Sequence, residues 1–173
     1  MVTGKYRLRI IVALILFSSI SKVCAGGDLR FGETMEVITK LEKSGEWNKA
    51  LPLYRELHSR LRLSFDGLTI PFLFRKGVCE LHCSKFDDAE QSFGLITQNG
   101  ELEKVSEINR VTITRSMFYL SDAQARNGKF EAAEKSLISA NRFFGKMVQL
   151  RRDPQLVKWR NKIVARIRKN MEP

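Results

Sequence analysis

Apolar residues recur at helical spacing through most of this chain, and short turn signals interrupt them. Val37, Ile38 and Leu41 precede Gly45; Leu73, Gly77 and Leu81 precede Ser84; Met117, Leu120, Ser121 and Gln124 precede Gly128. Each group marks one face of a 3.6-residue helix and predicts a helix running into a turn. The residues after each turn repeat as well. Gly45, Trp47, Ala50, Tyr54 and Leu57 share their spacing with Ser84, Phe86, Ala89, Phe93 and Ile96, and again with Gly128, Phe130, Ala133, Leu137 and Ala140. Gly at the first place accepts the left-handed backbone that ends a helix. The aromatic two residues later is expected to plug the corner between helices. Ala allows close approach of the helix axes, and the last two places face a neighbour. Acidic residues stand where each second helix begins: Glu46, Asp87 with Asp88, and Glu131. There they favour its positive end.

Three helical hairpins follow, over about residues 28–64, 69–98 and 105–149. Asp153 and Pro154 then give a helix cap and a first helical residue. Leu156, Trp159, Ile163 and Ile167, flanked by Val157 and Val164, form a last apolar stripe over residues 153–173. A stack of repeats leaves its final apolar face open, and this helix is expected to close it. The fold expected is all-α: three hairpins and a C-terminal capping helix, seven helices in all. Helix breaks are expected at residues 65–71 and 99–104, where Gly and Pro interrupt the pattern. Pro52, inside the second helix, is expected to kink it locally.

The segments GEWNKALPLYREL, SKFDDAEQSFGLI and LSDAQARNGKFEAAEKSLISA resemble tetratricopeptide repeats. The third matches best, with small residues Ser121 and Ala123 in register; the first also resembles a pentatricopeptide repeat. The second carries Lys76 where that family prefers an apolar residue. The spacing departs too, with 39 residues from Trp47 to Phe86 and 44 from Phe86 to Phe130, against about 34 for the regular repeat. The resemblance implies an α-solenoid whose first helices line a concave groove for a peptide partner. Carried over by register, the groove positions are Met35 and Thr39; Phe74, Arg75, Val78 and His82; and Arg115, Phe118, Tyr119, Asp122 and Arg126. The clamp by which some family members hold paired carboxylates uses Lys and Asn at several of these places. Only Arg115 is compatible with it, since Met35, Thr39, Arg75 and Tyr119 replace the rest. The expected ligand is therefore a protein or peptide segment mixing hydrophobic and acidic side chains.

The charge changes this picture at both ends. The chain has 173 residues with 30 Lys and Arg against 19 Asp and Glu, a formal +11. Residues 1–25 hold four of the bases and no acid. Lys5, Arg7 and Arg9 precede an apolar run from Ile10 to Ile20, followed by small residues around Ala25 and Gly26. This is the layout of a secretory signal peptide, with cleavage expected between Ala25 and Gly26 and a periplasmic or secreted product. An uncleaved anchor would need a longer apolar run, and lipid attachment at Cys24 would want smaller residues than Lys22 and Val23 before it. Residues 26–141 hold 16 bases and 17 acids, while residues 142–173 hold ten bases against Asp153 and Glu172, a local +8. Lys158, Arg160, Lys162, Arg166, Arg168 and Lys169 surround the last apolar stripe. They read either as the solvated face of a cap or as a binder of an anionic surface: membrane lipid, lipopolysaccharide or an acidic protein. Export and the lack of aromatic interleaving beyond Trp159 argue against nucleic acid.

Little in the sequence points to chemistry. His58 and His82 are the only histidines. Cys79, His82 and Cys83 share a helical face but leave a fourth metal ligand unassigned. Motifs of nucleophilic hydrolases, zinc proteases and phosphate-binding loops do not occur. A non-enzymatic chain without cofactor or metal is expected; its oligomeric state is not set by the sequence.

Overall fold

The computed structural model describes residues 29–60, 69–99 and 107–172. The expected leader and its cut between Ala25 and Gly26, Cys24, and the expected breaks at 65–68 and 100–104 lie outside the described residues. The described residues form eight helices and no strand: α1 (Leu29–Lys43), α2 (Trp47–Arg60), α3 (Thr69–His82), α4 (Phe86–Asn99), α5 (Glu107–Arg126), α6 (Phe130–Lys146), α7 (Val148–Arg152) and α8 (Pro154–Met171). The chain is all-α. It divides into two compact units, Met1–Glu46 and Trp47–Pro173.

Two boundaries differ from the sequence expectation. Thr69, Ile70 and Pro71 belong to α3 rather than to the preceding break, because Pro in a first turn gives up an N–H that has no helical partner there. The third hairpin ends at Lys146, and the extended backbone of Met147 (φ −88°, ψ 93°) separates it from the short α7. That extra helix raises the expected seven to eight among the described residues. It exists because Leu150 is buried, 6% exposed, in the core shared by α5, α6 and α8. Pro52 lies on the exposed side of a continuous α2.

The three turns are built alike. Gly45, Ser84 and Gly128 have φ of 75°, 57° and 74°. In each, the following N–H reaches back five residues: Glu46 to Leu41 O, Lys85 to Glu80 O and Lys129 to Gln124 O. This double-bonded helix end satisfies carbonyls that the last helical turn leaves open. Ser84 adopts the left-handed region despite its Cβ, a conformation that costs an L residue about 1–2 kcal/mol.

In unit 2 the repeated apolar places form the core. Ala50, Ala89 and Ala133 are fully buried, as are Tyr54 and Phe93, with Leu137 nearly so. Gly77 of α3 is a close-approach point: a Cβ there would lie 2.8 Å from two carbons of the Phe93 ring. Helix α5 is central and packs against α3, α4, α6 and α8. Helix α8 lies mainly along α5 and only marginally against α6.

The aromatic at each turn reaches outward along the chain. Trp47 stacks on His82, the last residue of α3, with ring centroids 4.1 Å apart. Phe86 sits under the guanidinium of Arg126, the last residue of α5, at 5.9 Å. Phe130 has no such ring contact among the described residues and is 47% exposed, which does not fit the corner-plugging role expected of it.

Lys76 of α3, out of pattern in the sequence, is buried beside Glu80 and Ser92 of α4. Its ammonium is ion-paired with Glu80 and 2.9 Å from Ser92 Oγ, and Ser92 donates to Glu80 Oε2 at 2.7 Å. Glu80 is 1% exposed and Lys76 8%. A closed triangle of this kind gives each ion an opposite charge and a hydroxyl partner, whereas removing one ion leaves the other uncompensated. Lys76→Met is therefore expected to cost about 3–5 kcal/mol, while Lys76→Met with Glu80→Leu recovers most of the loss. Urea unfolding of the two variants checks this.

Candidate functional site

The face of α5 carrying the expected groove residues is the best-defined polar and aromatic site in unit 2. Register places Arg115, Phe118, Tyr119, Asp122 and Arg126 along one side of this helix at steps of three and four. Helix α8 covers that side. Its start is fixed by Asp153, whose Oδ1 accepts from the N–H of Gln155 at 2.9 Å and of Leu156 at 3.4 Å, with Pro154 beside it.

Asp122 is fully buried. Its carboxylate takes the fork of Arg166, with Nη2 at 2.8 Å from Oδ2 and Nε at 3.2 Å from Oδ1. Asn170 Nδ2 donates to Oδ1 at 3.2 Å, and Arg126 Nε lies 3.3 Å from Oδ2. Two donors from α8 and one cation from α5 thus surround a single anion. Bidentate geometry adds direction to attraction, so α8 is set in register as well as held.

Aromatic rings continue the contact. Trp159 of α8 meets Phe118 edge-on at 5.7 Å and Tyr119 at 6.0 Å. Tyr119 in turn stacks on Phe93 at 5.5 Å and meets Phe74 at 5.6 Å. The Arg115 guanidinium lies between the rings of Phe74 and Trp159, 5.5 and 5.0 Å from their centroids. Its Nε is buried without a hydrogen-bond partner. Ring faces attract the cation and replace part of its lost hydration.

The expected groove residues therefore divide. Phe118 and Asp122 are fully buried and are not presented to solvent; Phe118 belongs to the core with Phe144, Ile163 and Ile167. Tyr119 and Arg115 are partly covered by Trp159. Phe74 and Val78 are half-buried on α3, as is Arg75, while His82 is exposed and stacked on Trp47. Met35 and Thr39 lie in unit 1, where Thr39 Oγ1 donates to Met35 O at 2.7 Å.

The basic helix divides as well. Arg166 serves Asp122, and Arg160 donates from Nε and Nη2 to Asn141 Oδ1 at 3.0 and 2.6 Å while lying 5.8 Å from the Phe144 ring. These two are structural contacts, contrary to a uniformly solvated ring of charge. Lys158, Lys162, Arg168 and Lys169 are exposed. Helical spacing made all six equivalent around the stripe; only the position of α5 and α6 separates them.

Around the turns, Asp87 accepts from Asn127 Nδ2 at 2.6 Å and from Lys129 at 3.1 Å, and Lys129 also reaches Glu90 at 2.8 Å. Hydrogen bonds from Lys129 and Asn127 hold the Asp87 carboxyl below its usual range. The bonds that Lys129 donates to Glu90 and Asp87 raise its ammonium. Burial, then the charges of Arg126 and Arg166, lowers His82; burial and Lys76 lower His58. Cys79 is buried and donates to Trp47 O at 3.4 Å, and burial raises the Cys83 thiol. Among the described residues no three His, Cys, Asp or Glu side chains gather as a metal site, and no helix is long and apolar enough to cross a membrane.

No family model, curated protein or solved structure matches the chain.

Two predictions follow from the geometry. Arg166→Met leaves a buried carboxylate short of its main partner and is expected to cost about 3 kcal/mol. Asp122→Asn removes the anion and leaves cations that water can reach, costing about 1.5–2 kcal/mol. Thermal unfolding that ranks the two in the opposite order would contradict the hub. The lowered histidines add a pH dependence: their contribution is fully present above the ordinary 6.5 and is lost as pH falls and the unfolded chain takes up protons first. His82→Gln should flatten the fall in melting temperature between neutral and mildly acidic pH.

Proposed function

We propose that this chain is an exported, non-catalytic helical-hairpin scaffold of tetratricopeptide type that binds a segment of a protein partner on the face formed by α3 and α5. The observation that carries the reading is the docking of α8 itself. An aromatic side chain and a cation from one helix fit this face through Trp159 and Arg166. A face that accepts one amphipathic helix has the chemistry to accept another segment, and its uncovered part on α3 presents Val78 and His82. The repeated left-handed turns and the repeated burial of Ala, aromatic and aliphatic places support the family reading. The leader pattern supports export.

The second reading, an electrostatic binder of an anionic surface, is favoured by the exposure of Lys158, Lys162, Arg168 and Lys169 on the outside of α8.

A photoreactive residue at Val78 is expected to crosslink one discrete partner in the exported fraction, and the same residue at Ile138, which is 61% exposed on α6, is not. Equal labelling from both positions, or none from either, would count against the α3–α5 face.

A further inference from the structure

Helix α8 has a second side, turned away from α5. Lys158, Lys162, Ala165 and Lys169 follow one another along it at helical steps. Where α7 runs into α8, this side opens into a depression of about 600 Å³ lined by Arg151, Arg152, Pro154, Val157, Lys158, Asn161, Lys162 and Ala165. Pro154, Val157 and Ala165 give it apolar lining, and four cations belong to its wall. None of Arg151, Arg152, Lys158 and Lys162 is paired with an acidic side chain among the described residues, unlike Arg126, Arg166 and Lys129.

This arrangement is not what folding alone needs. The apolar stripe of α8 is already spent on the core: Ile163 is 4% exposed, Val164 9% and Ile167 fully buried. Four like charges around one hollow repel one another, and among the described residues none of them has an acidic side-chain partner to offset that repulsion. The residues 142–173 that supply them carry a net +8 against −1 for residues 26–141.

We infer that the depression between α7 and α8 is a docking site for an acidic protein segment that carries an apolar side chain flanked by Asp or Glu. The choice follows from the mixture of lining and charge. Pro154, Val157 and Ala165 stand among four cations in a shallow, open depression, so a segment that combines apolar and acidic side chains meets both kinds of surface at once. An apolar side chain seated on Val157 and Ala165 supplies contact area, and carboxylates on either side meet Lys158 and Lys162 on one hand and Arg151 and Arg152 on the other. The inference rests on the electrostatic reading and is independent of the α3–α5 face.

The test uses the full chain with a fluorescent peptide in which Phe and Leu alternate with Glu, its counterpart with Gln for Glu, and phosphatidylglycerol vesicles. The Glu peptide is expected to bind, to weaken steeply with added salt, and to lose about tenfold or more in affinity in Lys158→Glu with Lys162→Glu. Both substitutions are at exposed positions, and circular dichroism with a thermal melt shows that the variant remains folded. A second variant, Arg151→Glu with Arg152→Glu, should weaken the peptide similarly from the opposite rim. Equal binding of the Glu and Gln peptides, or unchanged affinity in both folded variants, overturns the site. Binding to vesicles without binding to the Glu peptide overturns the proposed occupant while leaving the electrostatic reading standing; binding to neither removes both.

Discussion

The arrangement of unit 2 depends on one buried carboxylate. Asp122 lies on the side of α5 that faces the last helix, without access to water, and an anion in that position persists only if cations and donors come to it. Arg166 and Asn170 come from 44 and 48 residues away. Their geometry holds α8 along α5. The ring contacts of Trp159 then add area and shape to a position that electrostatics has selected.

That arrangement joins two features that look separate in the sequence. The face of the expected groove residues and the cationic tail read there as rival binding surfaces. In the folded chain one side of the tail lies on that face, and the other carries the unpaired charge. Arg160 and Arg166 are internal partners; Lys158 and Lys162 are not. One helix therefore divides its cations between holding the body together and facing solvent, according to which sides of it α5 and α6 occupy.

The helices, their turns and the capped start of α8 were readable because each rests on local rules. Left-handed turns at Gly45, Ser84 and Gly128, acids after the turns, and Asp153 before Pro154 all act within a few residues. What was not readable depends on which neighbour a face meets. Phe118 occupies a groove position by spacing, yet the same spacing describes a core residue, and the arrival of α8 decides between them. Lys76 breaks an apolar pattern in one dimension, and only the nearness of Ser92 across the α3–α4 turn turns it into a satisfied triangle. Helix α7 is too short to show a period of its own.

The separation in sequence between Asp122 and Arg166 has a consequence in time. The contacts within α3–α4 and α5–α6 are local and close early, whereas docking α8 must close a long loop. During synthesis the chain emerges N-terminal end first at about 5–20 residues per second. The aromatic face of α5 consequently exists for some seconds before the helix that covers it has been made, and a chaperone or a partner present during that interval meets more of that surface than the finished molecule offers.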